Sequence, residues 1–277
     1  MPAKKRATRN QINFEAYGVK LGIRVNAGSY PEKIEERIVE ILPLGINVIE
    51  QNGIEHLLEV IDEKNGNFKI FKDGEMVANF PGIENLFDLL AGQIRLTVAE
   101  YAVEKVFLHA GAVAWKDKAV IIPARSFSGK TTLVAELIKK GAVYYSDEYA
   151  VLDEKGFVHS FPKTLSMRGI IDDYKQVERS PSSFGAAVGQ TPLPVGLVLI
   201  CKFDKTRKND SEFALEILSP GQAMLEIIDN TIPITNNPKF VLKILNKISE
   251  HAIIAKCQRG EANEFANFLI EYLDATF

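Results

Sequence analysis

The segment from residue 119 to residue 138 constrains the fold of this chain more than any other. It begins with Ala119-Val120-Ile121-Ile122, which is apolar without alternation, as expected for a strand that is covered on both faces. The loop Ala124–Thr132 follows at once, and a helical pattern comes next with leucine, valine and isoleucine side chains on one side. A buried strand that runs through a short loop into an amphipathic helix predicts an α/β domain.

The loop has the spacing of a phosphate-binding loop, with Ala124 where the first glycine usually stands. Gly129 lets the backbone approach a ligand closely, and backbone N–H groups at the start of the helix favour anions. Lys130 can bridge phosphate oxygens, and the Thr131 hydroxyl is placed to coordinate Mg²⁺. We therefore expect the polyphosphate of a nucleotide, with Mg²⁺, to bind here. The expected binding residues are Ala124, Arg125, Ser126, Phe127, Ser128, Gly129, Lys130, Thr131 and Thr132.

An acidic pair ends the next predicted strand, which covers Ala142–Tyr145. In phosphate-loop proteins an acid at the end of a neighbouring strand commonly binds the metal. Because adjacent side chains diverge on an extended backbone, one of Asp147 and Glu148 can face the metal while the other faces the attacking group. His109 lies in a predicted strand beside the strand of the loop. A histidine on a strand is more often structural, so the spacing alone assigns it no role.

Composition excludes several classes of protein. The chain has 277 residues, 33 basic and 36 acidic side chains, and a formal charge of −3, so it does not coat polyanions such as nucleic acid. No apolar run reaches the roughly 18 residues of a membrane span. Two cysteines cannot form a disulfide framework or a zinc cluster, which fits a cytoplasmic protein. The basic residues 1–9 lack a following apolar segment, and we expect a solvated terminus rather than a signal peptide.

The first hundred residues predict a small α+β domain, and the domain boundary is expected near residue 105. An apolar run over Phe14–Val25, interrupted at Gly18 and Gly22, predicts a hairpin. Pro31 opens a helical pattern. Asn-Gly and Asp-Gly pairs within Leu57–Val77 predict two or three strands joined by tight turns. The expected domains are therefore residues 1–104 and residues 105–277.

A long helix is expected from Ile83 to Val106. Its apolar face carries Leu86, Leu89, Leu90, Ile94, Val98, Tyr101 and Ala102. In the second domain, strands are predicted over Val106–Trp115 and Lys118–Pro123, before the loop. Asp172–Pro194 lacks periodicity and contains three prolines, which predicts a lid over the site or a disordered loop. After it, strands are predicted over Val195–Phe203, Glu212–Leu218 and Ala252–Ala255. One helix is predicted to start at Pro220, and two more are predicted over Lys239–Ile248 and Glu261–Leu273.

Several of these segments together resemble the kinase domain of HPr kinase/phosphorylase and its relatives, a group related in fold to phosphoenolpyruvate carboxykinase. The matching segments are Leu108-His109-Ala110, the loop through Lys130, Leu137–Gly141, Ser146-Asp147-Glu148 and Leu165–Ile170. They span residues 106–171, about a quarter of the chain. The resemblance implies an α/β fold in which a P-loop domain of the HPr kinase/phosphoenolpyruvate carboxykinase-like type follows the small N-terminal α+β domain.

The resemblance also implies an activity. It indicates an ATP- and Mg²⁺-dependent kinase that transfers the γ-phosphoryl group to a serine-type hydroxyl of a protein, peptide or small molecule. By resemblance, the catalytic residues are His109, Lys130, Asp147 and Arg168, and the metal ligands are Thr131, Asp147 and Glu148. Asp147 would be the base, and Arg168 would stabilise charge on the transferring group or orient the acids. Because the related enzymes form rings, a homo-oligomer is compatible with the resemblance.

The sequence also departs from the family pattern. Ala124 and Phe127 stand where the family loop usually has glycine, and Thr132 and Ser166 stand where it has acids. The missing carboxylates keep a nucleotide-binding regulatory protein without phosphotransfer open as an alternative. A carboxykinase-like enzyme acting on a small molecule is a third hypothesis. It would need extra cationic side chains, for which the chain offers Lys163, Arg168, Arg179 and Lys202.

Overall fold

The described residues form a mixed α/β fold with three separate sheets. The computed structural model describes residues 11–26, 37–38, 47–49, 53–63, 65–124, 128–168, 176–207 and 213–277. The chain divides into two compact units, an N-terminal unit of residues 1–103 and a C-terminal unit of residues 104–277. Among the described residues, none of the helices is both long enough and apolar enough to cross a membrane.

A six-stranded sheet forms the N-terminal unit, with strand order β3-β1-β2-β4-β5-β6. Its strands are β1 (Gln11–Ala16), β2 (Val19–Asn26), β3 (Asn47–Val48), β4 (His56–Asp62), β5 (Asn67–Lys72) and β6 (Glu75–Pro81). The predicted hairpin at Gly18 and the strands predicted between residues 57 and 77 are confirmed. Asp73 and Gly74 both have positive φ in the turn between β5 and β6, as a two-residue hairpin loop requires.

Helix α1 (Glu84–Tyr101) completes the N-terminal unit. Leu86, Phe87 and Leu90 are buried in one apolar cluster with side chains of the sheet. The predicted end of this helix at Val106 is wrong, because Glu104 has a φ of 61°. Leu89 and Tyr101, predicted on its buried face, are 39% and 37% exposed. The helix predicted after Pro31 lies outside the described residues except for residues 37–38.

The C-terminal unit has an eight-stranded sheet and a separate pair of strands. The eight are β7 (Val106–Trp115), β8 (Lys118–Pro123), β9 (Val143–Ser146), β10 (Tyr149–Leu152), β11 (Phe157–His159), β14 (Leu193–Phe203), β15 (Glu216–Ile217) and β16 (Ile253–Arg259). The pair is β12 (Leu165–Arg168) with β13 (Gln176–Arg179). The central strands β8, β14 and β16 are parallel. In addition, β11 pairs with both β10 and β14, so β7, β8, β14, β11 and β10 form a closed ring of hydrogen-bonded neighbours.

Two pairs of helices cover the two faces of this sheet. The helices are α2 (Lys130–Lys139), α3 (Pro220–Ile228), α4 (Pro238–His251) and α5 (Ala262–Thr276). Apolar side chains of α2 and α5 share one cluster with the sheet, and apolar side chains of α3 and α4 share the other. The strand and the helix expected within residues 119–138 are therefore present, and residues 125–127 of the loop between them lie outside the described part. The sheet lies between two helical layers.

Two other expectations for this unit need correction. The segment expected to be structureless, Asp172–Pro194, contains β13 and a short 3₁₀ helix over Pro181–Phe184 among its described residues, while residues 172–175 lie outside the described part. The strand predicted over Ala252–Ala255 continues to Arg259. Lys256 and Gln258 hide this continuation in the sequence, because their polar side chains break the apolar run that predicted the strand.

Candidate functional site

The predicted phosphate loop leads into α2 through a glycine in the left-handed conformation. Gly129 precedes the helix with φ 80° and ψ 15°, which glycine adopts without the steric cost that a Cβ would bring. Its carbonyl oxygen accepts one hydrogen bond from the backbone N–H of Leu133 at 3.1 Å and another from Nη2 of Arg259 at 2.8 Å. A Cβ at this position would collide with Nη2 of Arg259. The loop is thus held to the end of β16 at the residue where the helix starts.

Lys130 is the first residue of α2, and it is 9% exposed. Burial lowers the pKa of its ammonium group, and the charge of Lys163 acts in the same direction, whereas Asp147 and Glu148 oppose the shift. Gly111 of β7 packs directly against this first turn, since a Cβ there would lie 3.3 Å from Cγ of Lys130. Strand β7 therefore fixes the aliphatic part of the Lys130 side chain. The ammonium group of Lys130 interacts with the carboxylates of Asp147 and Glu148 and with the second cation, Lys163.

Backbone hydrogen bonds fix the acidic pair between β9 and β10. The hydroxyl oxygen of Ser146 accepts hydrogen bonds from the N–H groups of Glu148 at 3.1 Å and Tyr149 at 3.0 Å. The carbonyl oxygen of Glu148 accepts another from the N–H of Ala110 in β7, at 3.1 Å. The two carboxylates therefore lie on a turn whose backbone is held on both sides.

Asp147 is the acid that meets the phosphate loop. Its Oδ2 accepts a hydrogen bond of 2.8 Å from the hydroxyl of Thr131. The residue is only 8% exposed, and its Oδ1 is buried with no hydrogen-bond partner among the described residues. Burial raises the pKa of Asp147 to about 6, although Lys130 and the Thr131 hydroxyl act in the opposite direction. A buried carboxylate oxygen without a partner is costly, so this atom is suited to a cation or a proton donor supplied by a ligand.

His109 also lies at this end of the sheet, opposite Tyr149 in the ladder between β7 and β10. Burial, and then the positive charge of Lys130, lower its pKa to about 4, while Glu148 opposes the shift. The imidazole is therefore neutral near pH 7. Its backbone carbonyl accepts a hydrogen bond of 3.4 Å from the N–H of Ala124, so this residue also holds the start of the phosphate loop.

A second lysine extends the charged cluster. Nζ of Lys163 lies 3.7 Å from Oε2 of Glu148 and donates a hydrogen bond of 3.3 Å to the hydroxyl of Ser166. That hydroxyl donates in turn to Glu178, its partner across the ladder of β12 and β13. A carboxylate therefore lies beside Ser166, on the neighbouring strand.

The structure brings His109, Gly129, Lys130, Thr131, Asp147 and Glu148 together at one end of the sheet, as the preceding distances and charges show. Thr132 is exposed, and the hydroxyl oxygen of Ser128 is buried without a partner among the described residues. Residues 125–127 and the side chain of Arg168 lie outside the described part of the structure, which gives only the backbone of Arg168, at the end of β12. Of the other three cations named for a carboxykinase-like site, Lys163 joins the cluster, while Arg179 and Lys202 are exposed on β13 and β14.

Sequence reasoning missed Arg259 entirely. This residue is 3% exposed, and its guanidinium donates to Gly129 and, through Nη1 at 2.9 Å, to the carbonyl oxygen of Gly260. Burial lowers the pKa of Arg259, and the nearby thiols and Glu261 oppose the shift. A signal was available, because the carboxyl ends of strands that run parallel to β8 lie at the same edge of the sheet as the phosphate loop. The predicted strand Ala252–Ala255 ended four residues before Arg259, so the prediction did not place Arg259 at that edge.

The residues present fit a magnesium ion. Among the described residues, no three histidine, cysteine, aspartate or glutamate side chains are grouped as a metal centre. Mg²⁺ does not need such a group, because it usually keeps several waters and binds through one or two protein oxygens together with substrate phosphates. The hydroxyl of Thr131 retains free lone pairs after donating its hydrogen, and Oδ1 of Asp147 has no partner. Both atoms are hard oxygen donors of the kind that this ion prefers.

Comparisons with known proteins add little to this description. No family model and no curated protein matches the chain. Among solved structures, the chain is similar to the Hpr(Ser) kinase/phosphatase from Coxiella burnetii, with 16% sequence identity and a TM-score of 0.34. That comparison covers 61% of this chain and 94% of the other. The function of this chain is therefore inferred from the geometry of its own residues.

Proposed function

We propose that the C-terminal unit binds the Mg²⁺ complex of ATP and transfers its γ-phosphoryl group to a serine-type hydroxyl of a protein, peptide or small molecule. The observation that carries this proposal is the hydrogen bond between Thr131 and Asp147 at the start of the helix whose first residue is Lys130. The second carboxylate oxygen of Asp147 is buried there and has no hydrogen-bond partner among the described residues. A helix start with a left-handed glycine and a buried lysine favours a concentrated anion.

The proposed roles follow from the positions of the side chains. Lys130 would bind the phosphate oxygens, and Thr131, Asp147 and Glu148 would supply the oxygen atoms that hold Mg²⁺. When bound, the ion would neutralise charge on the phosphates. Asp147 would also take the proton of the attacking hydroxyl, because its carboxylate lies at the start of the loop helix, where it is bonded to the Thr131 hydroxyl. His109, neutral at neutral pH, would orient the hydroxyl by hydrogen bonding and would add no charge.

Calorimetry with the Lys130→Ala variant tests the binding step. Removing one charged hydrogen-bonding group costs about 1.5–3 kcal/mol, so we expect the Kd for MgATP to rise about 10- to 100-fold. Lys139→Ala is the matched control, because Lys139 lies at the other end of the same helix with a side chain that is 47% exposed. Equal affinities of the wild type, Lys130→Ala and Lys139→Ala would refute the proposed site.

Transfer is tested separately, with γ-labelled ATP, purified protein and a cell extract as the source of acceptors. Asp147→Asn keeps the shape of the side chain and removes its charge. We expect this variant to lose label transfer by about 10²-fold or more, as for the removal of a general base. Nucleotide binding without transfer by the wild type would select the regulatory protein that lacks phosphotransfer. The missing acids at Thr132 and Ser166 favour this second candidate.

A further inference from the structure

The two cysteines of the chain lie against each other beneath the phosphate loop. Cys201 of β14 and Cys257 of β16 are direct partners in the ladder between these parallel strands. Their sulfur atoms are 2.7 Å apart, and both residues are buried, at 7% and 8% exposed. The chain contains no other cysteine, so its whole thiol content is concentrated at this one contact.

The geometry of the pair permits a bond between the two sulfurs. Neighbouring strands lie about 4.7–4.9 Å apart, which falls within the range of Cα–Cα distances that disulfides span. The thiols are free in the reduced chain. Both thiols belong to the apolar cluster that α2 and α5 cover, so a small oxidant reaches them through local opening of that layer.

The pair is also connected to the phosphate loop. Side chains two residues apart on a strand share a face, so Arg259 follows Cys257 on the same side of β16. The guanidinium interacts electrostatically with both thiols, and it donates a hydrogen bond to the carbonyl oxygen of Gly129. One side chain thus lies beside the thiol pair and bonds to the residue that starts the phosphate-loop helix.

We propose that Cys201 and Cys257 are a reversible disulfide site, and that its oxidation by a hydroperoxide loosens the bond between Arg259 and Gly129 and weakens anion binding at the phosphate loop. The disulfide site is argued from the thiol pair alone, and the effect on anion binding rests on the proposed function. The hydrogen bond with Cys201, followed by burial, raises the pKa of Cys257.

The chemistry balances with a hydroperoxide as the oxidant. One of the two sulfurs attacks the O–O bond of hydrogen peroxide, which gives a sulfenic acid and one water. The other sulfur then attacks the sulfenic sulfur, the S–S bond forms, and the hydroxyl leaves with the proton of the second thiol as a second water. Two thiols lose two electrons and two hydrogens, and the peroxide is reduced to two waters. A dithiol reductant reverses the change by thiol–disulfide exchange.

The effect on the loop follows from the shorter distance in the bonded state. The sulfurs must close from 2.7 Å to about 2.05 Å, and the cysteine side chains and their strands must adjust to allow it. Arg259 lies two residues along β16, and its bond to Gly129 is already at an ordinary length of 2.8 Å. An adjustment that moves the guanidinium away from Gly129 lengthens that bond, and we expect the start of the helix then to become more mobile.

The site is tested on the full-length wild-type protein, reduced and then treated with hydrogen peroxide. We expect the denatured protein to lose both titratable thiols, its intact mass to fall by two hydrogen atoms, and the chain to remain monomeric in non-reducing electrophoresis. A dithiol reductant should restore the thiols and the mass. Retained thiols, an added oxygen mass or a disulfide between two chains would overturn the proposal.

The link to the loop is tested by hydrogen–deuterium exchange and by calorimetry. In the absence of nucleotide, amides of residues 128–133 should exchange faster after oxidation, and MgATP should bind about tenfold more weakly, equivalent to about 1.4 kcal/mol. Cys257→Ser is the matched control and should show neither response to peroxide. Unchanged exchange in the wild type would overturn the link. Failure of MgATP to bind in either state would refute the proposed function, while thiol content and exchange would still decide the disulfide site.

Discussion

Gly129 and Gly185 have similar backbone conformations but different surroundings. Alanine substitutions at the two sites therefore separate the cost of backbone strain from the cost of a steric clash. Their φ angles are 80° and 75°. A Cβ at Gly185 would meet no atom within 4 Å, whereas one at Gly129 would collide with Arg259. We expect Gly185→Ala to cost about 1–2 kcal/mol of unfolding free energy from backbone strain. Gly129→Ala should cost about 2 kcal/mol more, because the bond to a charged donor is lost as well.

Urea unfolding of both glycine variants measures this difference, and calorimetry with MgATP adds a second readout. Gly129→Ala should weaken nucleotide binding, while Gly185→Ala should leave it unchanged. If the two substitutions had equal effects on stability and on binding, the contact between Arg259 and Gly129 would have no energetic importance.

His109 predicts a specific dependence of stability on pH. Its pKa is about 4 in the folded chain and 6.5 in an unfolded one, so the unfolded chain binds more protons between these values. This group alone therefore lowers the stability of the wild type as the pH falls from 6.5 to 4, by on the order of 3 kcal/mol. The variant His109→Asn has no such group, and the stability difference between the two proteins should shrink over this range.

Urea unfolding of both proteins at pH 7 and pH 4.5 checks this expectation. Asp147 acts in the opposite direction, because its raised pKa of about 6 stabilises the fold as the pH falls. Histidine 109 is not among the causes of that shift, so the contribution of Asp147 cancels in the comparison. A stability difference that did not change with pH would contradict the buried, neutral state of His109.

The predictability of the site's residues depends on how far apart in the chain the residues that contact each other lie. Lys130 and Thr131 follow from local spacing, and the sequence placed both correctly at the start of a helix. The hydrogen bond between Thr131 and Asp147 joins residues 16 positions apart, and that between Gly129 and Arg259 joins residues 130 positions apart. Such contacts depend on strand order, which local patterns do not encode.

At the scale of elements, the close packing of β7 against α2 positions the lysine. A Cβ at Gly111 would lie 2.5 Å from Cγ2 of Val134 and 3.3 Å from Cγ of Lys130. We expect Gly111→Ala to push α2 away from the strand at a cost of about 1–3 kcal/mol, as for other overpacked sites. The displaced Lys130 should also bind MgATP more weakly.

Thermal or urea unfolding measures the cost of Gly111→Ala. Gly92→Ala in α1 is the contrasting variant, because nothing lies within 4 Å of its added Cβ. Alanine favours a helix over glycine by about 1 kcal/mol, so that variant should be neutral or stabilised. Full stability and full MgATP affinity of Gly111→Ala would show that α2 tolerates a wider separation from β7.

Element types could be read from the sequence more reliably than element ends. The strand, loop and helix around residue 124 were predicted because apolar runs and glycine signals coincide there. The end of α1 was misplaced because the apolar pattern continues past Tyr101, while the backbone leaves the helix and reaches a positive φ at Glu104. Strand β15 spans only Glu216–Ile217, although alternation predicted a strand from Glu212 to Leu218.

At the scale of the whole molecule, each unit has its own apolar core. Among the described residues, one cluster is built from the N-terminal unit and two from the C-terminal unit. A unit with its own core can in principle fold alone. We expect a chain of residues 104–277 to unfold in one cooperative step and to bind MgATP within about threefold of the full protein.

Circular dichroism during urea unfolding and calorimetry of this shortened chain provide the measurement. Both helical layers and the phosphate-loop helix belong to these residues, so the proposed site is retained. A shortened chain that lacked a cooperative transition would show that the C-terminal unit needs residues 1–103 in order to fold.

The ring formed by β7, β8, β14, β11 and β10 has a further consequence for behaviour at high concentration. Open sheet edges can pair with strands of other chains and so promote aggregation, whereas closing a sheet into a ring removes its edges. Beyond the ring, among the described strands, β9 pairs with β7, and β16 lies between β14 and β15, which spans only two residues. The ring therefore removes edges from its own strands, and the backbone groups open to an incoming chain are those of β9, of β16 and of the separate pair β12 and β13.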